Sequence, residues 1–257
     1  MTKIGLQLYT VREALEQDFE GTIRKVAELG YHGVEFAGYY GRTAEQVKEL
    51  LAETGLEALG SHIGYERLKQ SLSDEVAFNQ IIGNKYLIIP YLSEDQRKGW
   101  QGAIDGIRSL GVKAAEEDMV LLYHNHDFEL SEEYEGQPAL DAMFSQVPAS
   151  LLQAELDTCW VHFAGYDPVE YILKYTGRLP LVHLKDMVTK ADGSAETVEL
   201  GQGEVDLKAI ADAAVASGAE WLVVEQDECL RNDPLKCIGI SMEWIKNYQR
   251  QGGQIHV

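Results

Sequence analysis

Cysteine is scarce in this chain, and its three cysteines are widely spaced. They stand at Cys159, Cys229 and Cys237, a pattern that matches neither a disulfide framework nor a CxxC zinc motif. Free thiols are typical of a reducing compartment, so we expect a cytoplasmic protein.

Long apolar runs are also missing. No stretch approaches the roughly 20 residues that a membrane helix needs. The first residues, MTKIGLQLYT, show neither the basic nor the apolar region of a secretory signal peptide. We therefore expect no membrane partner and no secretory leader.

Basic residues are few relative to acidic ones, at 22 against 42, which gives a formal net charge of −20. Nucleic acids and anionic membranes repel such a surface, so the charge argues against both as partners. A phosphorylated small molecule is still compatible, because one local cationic site would be enough to bind it.

The chain does contain a regular alternation of strand and helix patterns over its 257 residues. Eight apolar strand patterns begin near residues 3, 31, 56, 85, 119, 151, 179 and 219. Their spacing is that of a strand–helix repeat, and the total length is usual for a (β/α)8 barrel. We predict an α/β fold, a (β/α)8 TIM barrel, as a single domain over residues 1–257. A doubly wound open sheet is the alternative, but no GxGxxG follows the first strand to support it.

The sequence also predicts several helix N-termini and one long connection. Capping boxes stand at 43–46 and 93–96, and Asp-Pro pairs at 167–168 and 233–234 predict further helix N-termini. Between the seventh strand and the next helix, Asp192-Gly193 predicts a β-hairpin that would form a lid over the barrel mouth. The following Gly201–Gly203 segment predicts either a flexible hinge or a close backbone approach.

The fifth strand pattern carries the clearest chemical signal. Residues 119–130, MVLLYHNHDFEL, begin as an apolar strand and turn polar at Tyr123. His124 and His126 lie two residues apart, so on a strand both side chains would point to the same face. An apolar strand that ends in ligand-type side chains is typical of the active-site face of an α/β barrel.

Three later strands end in the same way, at Asp157, His183 and Glu225. In a barrel the C-terminal ends of these strands lie side by side, so the three side chains and one fifth-strand histidine would converge. Carboxylates and imidazoles suit a divalent cation. The sequence therefore predicts one divalent metal ion, which could be Mn2+, Zn2+, Co2+, Fe2+ or Mg2+.

The whole chain resembles the xylose isomerase-like barrel superfamily of sugar isomerases and epimerases. The resemblance is carried by eight segments in order: GLQLYTVR, ELGYHGVEF, SHIGY, YHNHDFE, LDTCWVHFAGYDP, VHLKD, LGQGEVD and VVEQD. It implies a metal held by Glu, Asp, His and Glu from strands five to eight. The last three of these positions match Asp157, His183 and Glu225.

The first position departs from the family pattern, because Tyr-His-Asn-His stands where many members have a glutamate. We take His124 as the equivalent ligand and His126 as the alternative. The family's epimerases use two metal-bound glutamates as an acid/base pair, and here Glu225 is the one that matches. The second catalytic group would then be Glu129 or His126.

Further residues are expected near the barrel mouth. The predicted substrate-binding residues are Glu35, His62, Trp160 and Lys185. Trp160 offers a flat face to a sugar ring or packs under the loop. Lys185 binds a hydroxyl or phosphate group, or pairs with Asp186 or Asp227. Asp227 would orient the metal ligands.

The resemblance and the residues together predict a metal-dependent sugar isomerase or epimerase. It would remove a proton next to the carbonyl of a keto-sugar or related polyol. The alternative is a lyase or dehydratase that acts by β-elimination on a keto-glycoside or keto-inositol. The superfamily also includes DNA-repair endonucleases, but these need several metals and a basic DNA-binding face, and this chain lacks both. A non-catalytic sugar-binding barrel is a further alternative, and such a protein would fold without metal. Whether the protein forms a homo-oligomer is left open.

Overall fold

The computed structural model describes residues 2–255, in which eight parallel strands close into a barrel. Each strand pairs with its neighbours in sequence, and the first pairs with the last. We number the barrel strands in chain order: β1 Lys3–Gln7, β2 Gly33–Phe36, β3 Glu57–His62, β4 Tyr86–Ile89, β5 Val120–His124, β6 Gln153–Asp157, β7 Leu181–Leu184 and β8 Trp221–Val224. This confirms the predicted (β/α)8 barrel and its strand–helix repeats.

Helices connect the strands around the outside of the barrel. A 3-10 turn at Leu8–Val11 comes first, and the α-helices follow at Arg12–Gln17, Phe19–Leu29, Ala44–Thr54, Tyr65–Ile81, Glu94–Arg97, Trp100–Glu116, Phe128–Ser131, Ala139–Gln146, Thr158–Phe163, Pro168–Lys174, Leu207–Ala216 and Pro234–Arg250. Within residues 2–255, no helix is both long enough and apolar enough to cross a bilayer.

The predicted helix starts are confirmed by their hydrogen bonds. Thr43 and Ser93 each form a complete capping box with the glutamine three residues later. Asp167 and Asp233 cap helices that begin with proline. The helix that Ser93 caps ends at Arg97, because Gly99 adopts a non-helical conformation before the next helix begins at Trp100.

Two sets of apolar side chains hold the barrel together. A large cluster lies between the strands and the surrounding helices. A smaller one is made by alternate strand residues inside the barrel: Leu59, Tyr86, Ile88, Leu122, Leu181, Trp221 and Val223. Because strand side chains alternate between faces, the next inward position along a strand lies two residues further on, toward the C-terminal end.

The predicted hairpin is present, with Asp186–Thr189 paired to Ala195–Val198. The Gly201–Gly203 segment is fixed rather than free. Asp186 is fully buried, and its carboxylate accepts hydrogen bonds from the backbone N–H groups of Gly201 and Gly203 at 2.9 Å. A Cβ atom on Gly203 would lie 2.2 Å from Asp186 Oδ1. Of the two alternatives for this segment, the close backbone approach is therefore correct.

Candidate active site

The candidate site is built directly above the inner apolar cluster. Leu122, Leu181 and Val223 fill the barrel interior, and each is followed two residues later by His124, His183 and Glu225 respectively. Same-face alternation therefore points these polar side chains to the barrel axis. Asp157 is the last residue of β6, and it is the register partner of His183 on β7.

The structure brings the four predicted metal ligands together. One ligand atom from each of His124, Asp157, His183 and Glu225 lies within 4.8 Å of the other three, and all four side chains are buried. Ligand atoms on opposite sides of one ion lie about 4 to 5 Å apart, since each bond is about 2 Å or slightly longer. Two imidazoles and two carboxylates in this spacing fit one divalent cation.

Lys185 lies among the same carboxylates. Its Nζ is 2.9 Å from Asp157 Oδ2, 2.8 Å from Glu225 Oε2 and 3.0 Å from Asp227 Oδ1. Burial opposes its charge, but the three carboxylates outweigh burial and raise the pKa of Lys185 well above its usual value. The ammonium group therefore compensates part of the negative charge that Asp157 and Glu225 bring to the barrel.

A second polar layer lies deeper in the barrel. Glu35 on β2 and Glu155 on β6 have no exposed surface. His62 Nε2 lies 2.7 Å from Glu155 Oε2 and 3.1 Å from Glu35 Oε2. Burial works against a charged imidazole here, but the two carboxylates outweigh it and raise the pKa of His62 to about 10. His62 is therefore an imidazolium that balances the buried glutamates.

A cavity of about 470 Å³ opens above the cluster, and its lining includes Tyr9, Arg12, His62, Tyr91, His124, His126, Trp160, Glu225, Asp227 and Glu228. Glu35, Glu129 and Lys185 are buried outside this lining. A larger cavity of about 910 Å³ lies at the opposite, N-terminal end of the barrel. Within residues 2–255, the groups of metal-type donors lie at the C-terminal end, where barrel enzymes carry their active sites.

One wall of the cavity is aromatic. The His126 ring stacks on Phe128 at 5.7 Å, meets Tyr91 edge-on at 5.7 Å and lies 5.8 Å from Trp160, centroid to centroid. Burial, aided by Lys185, lowers the pKa of His126 to about 4, so its imidazole is neutral at pH 7. His126 Nδ1 and Trp160 Nε1 are buried without a hydrogen-bond partner among the described residues.

The facing wall carries the carboxylates. Glu225, Asp227 and Glu228 all follow β8, and they are the cavity-lining carboxylates. Asp227 Oδ2 is also buried without a hydrogen-bond partner among residues 2–255. Burial raises the pKa of Asp227 to about 6, although Lys185 acts in the opposite direction.

The predicted site residues thus separate into groups. The four predicted metal ligands converge, His126 and Trp160 line the cavity, and His62 contacts both the cavity and the deeper layer. Glu35 and Lys185 lie outside the cavity lining. Glu35 contacts His183, Lys185 contacts Asp227, and Glu129 faces Tyr123. Their assigned roles in binding and catalysis stay predictions.

Sequence reasoning assigned no role to Glu155, Arg12 or Tyr91. Glu155 lies two residues before Asp157, and the same alternation that turns Asp157 inward turns Glu155 inward as well. The sequence pattern could therefore have identified Glu155 as an inward-facing residue. No comparable signal marks Arg12 or Tyr91, which reach the cavity from the segments that follow β1 and β4.

Residues 23–248 match the sequence profile of the xylose isomerase-like TIM barrel family. The chain belongs to this family. An inosose dehydratase of Clostridium botulinum is 22% identical over 274 residues, which cover 90% of this chain and 90% of that protein.

Solved structures of other proteins share the fold. A sugar phosphate isomerase/epimerase from Parabacteroides distasonis superposes with a TM-score of 0.83 at 21% identity, over 96% of this chain and 98% of that one. The probable 3-DHS dehydratase AsbF of Bacillus anthracis gives 0.74 at 15% identity, over 96% and 99% of the two chains. The proteins that this chain resembles are thus named for isomerisation in one case and for dehydration in others.

Proposed function

We propose that this protein is a metal-assisted carbon–oxygen lyase that removes water from a small polyhydroxylated ketone, such as a cyclitol ketone or keto-sugar. The observation that carries the proposal is the arrangement of the cavity-lining carboxylates, which all follow β8. Epimerisation by two carboxylates needs them on opposite faces of the substrate carbon. Two carboxylates on one wall suit proton removal and leaving-group protonation from the same side.

The bound divalent ion would be held by His124, Asp157, His183 and Glu225, and it would supply Lewis acidity toward the substrate carbonyl. Glu225 takes the proton from the carbon next to the carbonyl. The carbon–oxygen bond one position further then breaks as a carbon–carbon double bond forms. Asp227, in its protonated form, delivers the proton with which the hydroxyl group departs as water.

The cavity also supports a ring polyol as substrate. Trp160 Nε1 is a hydrogen-bond donor, Asp227 Oδ2 is an acceptor when ionised, and His126 Nδ1 serves as either according to its tautomer. Buried polar atoms normally have partners, so a ligand with several hydroxyl groups would satisfy all three. The aromatic faces beside them suit the C–H side of such a ring. The relatives named inosose dehydratase support a cyclitol ketone in particular.

A sugar isomerase or epimerase is the second candidate. His126 lies on the wall opposite the carboxylates and is neutral at pH 7. It could return a proton to the other face of the substrate carbon, which would complete an acid/base pair with Glu225.

The test is to incubate metal-loaded protein with inosose and with free keto-sugars in deuterium oxide, followed by NMR. Loss of water together with α-deuterium exchange is expected. Glu225→Gln should lower exchange and turnover by about 10²-fold or more, the usual scale for removing a general base. The Asp227→Asn protein should still exchange the α-hydrogen for deuterium but should no longer eliminate water. Glu220→Gln, at the far end of β8, is the matched control and should behave as wild type.

Two outcomes would contradict the lyase. One is exchange that yields only an epimer or an isomer, which would establish the second candidate. The other is a Glu225→Gln protein that still holds metal and exchanges as fast as wild type, which would remove Glu225 as the base.

A further inference from the structure

Two fully buried glutamates lie below the predicted metal ligands, where barrels usually place apolar layers. Glu35 and Glu155 have no lysine or arginine partner among residues 2–255, and their polar neighbours include three imidazoles. Placing two carboxylates in a barrel interior is costly unless each is well paired. Their contacts with the predicted ligand imidazoles indicate a role in orienting those rings.

Each ligand imidazole turns one nitrogen toward a glutamate on the side away from the predicted ion, and Glu155 Oε1 also lies 3.4 Å from His183 Nε2. His124 Nδ1 lies 2.9 Å from Glu155 Oε2, and its Nε2 lies 3.8 Å from Asp157 Oδ2. His183 Nε2 lies 2.9 Å from Glu35 Oε2, and its Nδ1 lies 2.9 Å from Glu225 Oε2. The His124 ring thus turns Nδ1 toward the deeper layer and Nε2 toward the predicted ion. The His183 ring has the reverse orientation, with Nε2 toward the deeper layer.

A metal-bound neutral imidazole has one N–H group and uses its other nitrogen to bind the ion. A carboxylate accepts the N–H, so the nitrogen on the far side of the ring is left with its lone pair. Carboxylates that orient ligand histidines in this way are common beside metal sites.

We propose that Glu35 and Glu155 are positioning residues that fix the ligand imidazoles in opposite tautomers. His124 would carry its proton on Nδ1 and bind the ion through Nε2. His183 would carry its proton on Nε2 and bind through Nδ1. The inference concerns metal binding, and it holds whichever reaction the site performs.

The glutamates are themselves held in place. Gln7 Nε2 donates to Glu35 Oε2 at 2.5 Å, and His62 Nε2 lies within hydrogen-bond distance of both carboxylates. These contacts come from β1 and β3, so the deeper layer connects one half of the barrel to the ligands in the other half. The ring orientation is then set by the closed barrel and not by a single strand.

The same atoms define one competing arrangement. His62, His124, Glu155 and His183 also place ligand atoms within 4.8 Å of one another. An ion in that deeper position would bind His124 through Nδ1 and His183 through Nε2, which is the reverse of our assignment. The two arrangements therefore differ in an observable property of both rings.

The decisive measurement is the tautomeric state of the histidines in wild-type protein labelled with 15N at histidine and loaded with Zn2+, which is diamagnetic. Long-range 1H–15N correlation spectra identify the protonated nitrogen of each ring. We expect protonated Nδ1 in His124 and protonated Nε2 in His183. The reverse pattern would overturn the proposal and place the ion in the deeper group.

Variants give an independent test. Glu155→Gln and Glu35→Gln keep the side-chain shape and should weaken Zn2+ binding by about 10- to 100-fold, the usual effect of losing such a partner. The visible spectrum of the Co2+ form should change as well. Glu75→Gln removes a buried carboxylate at a distance from the site and is the matched control. Unchanged Zn2+ affinity in both site variants would refute the proposal, and a folding defect would leave the wild-type NMR result to decide.

Discussion

Glu129 is a fully buried carboxyl close to the C-terminal end of β5. Tyr123 Oη donates to its Oε1 at 2.6 Å, and the His126 backbone N–H donates to its Oε2 at 2.8 Å. Burial outweighs these hydrogen bonds and raises the pKa of Glu129 to about 8. In the unfolded chain the group titrates near pH 4.3. The stability linked to this proton is therefore fully present below about pH 4.3 and is lost as pH rises through about 8.

Glu129→Gln should remove this pH dependence, because the amide is neutral throughout and satisfies both neighbours. We expect the melting temperature of wild type to fall relative to the variant between pH 5 and pH 9, measured by thermal denaturation in a series of buffers. A difference that does not change with pH would contradict the raised pKa. A roughly 10²-fold loss of turnover in a folded, metal-loaded variant would instead support the predicted catalytic role.

Sequence alone was most informative where a side chain ends a strand. Asp157, His183 and Glu225 each follow an apolar run, and the barrel brings such ends together whatever the details of the loops. The orientations of Glu35 and Lys185 could not be read in this way. A glutamate or a lysine near a strand end is usually solvated, and its burial depends on neighbouring strands that are distant in sequence.

At the scale of elements, the hairpin after β7 depends on Asp186. Its carboxylate accepts four backbone N–H groups, from Met187, Gly201, Gly203 and Val205, at 2.9 to 3.2 Å. A buried carboxylate with four donors fixes the path of the connection, so the segment after the hairpin is not a hinge. Residues 187–205 are also absent from the lining of the 470 Å³ cavity. The sequence predicted the strand pairing, but a lid role is not supported by this position.

Asp186→Asn should destabilise the fold by about 2–4 kcal/mol, since the amide NH2 group would face backbone donors. Hydrogen exchange should become faster in residues 187–205 while barrel strands remain protected. Asp192→Asn in the exposed hairpin turn is the matched control, because its oxygen can still accept from Ser194. Equal exchange in the two variants would show that Asp186 does not hold the connection.

At the scale of the molecule, the predicted ion would join four consecutive strands, since its ligands come from the ends of β5 to β8. A ligand that binds only the folded state stabilises it by mass action, by about 2.7 kcal/mol at 100 times its dissociation constant. We expect chelation to lower the melting temperature by roughly 5–10 °C, and added Mn2+, Zn2+ or Co2+ to restore it. Asp157→Asn should reduce that shift. A melting temperature unaffected by verified metal removal would argue against a site that spans the strand ends.

The pairing of β1 with β8 has a consequence for how the chain folds. Thr2 Oγ1 donates to Ala219 O across a separation of 217 residues, so this seam is among the most distant contacts in the chain. At a synthesis rate of about 5–20 residues per second, β1 leaves the ribosome's active site roughly 10 to 40 s before β8 is synthesised. During that time the open edges of an unfinished sheet present unpaired N–H and C=O groups, which favour association with other chains. The closure that encloses the buried glutamates therefore also prolongs the exposure of unpaired strand edges during synthesis.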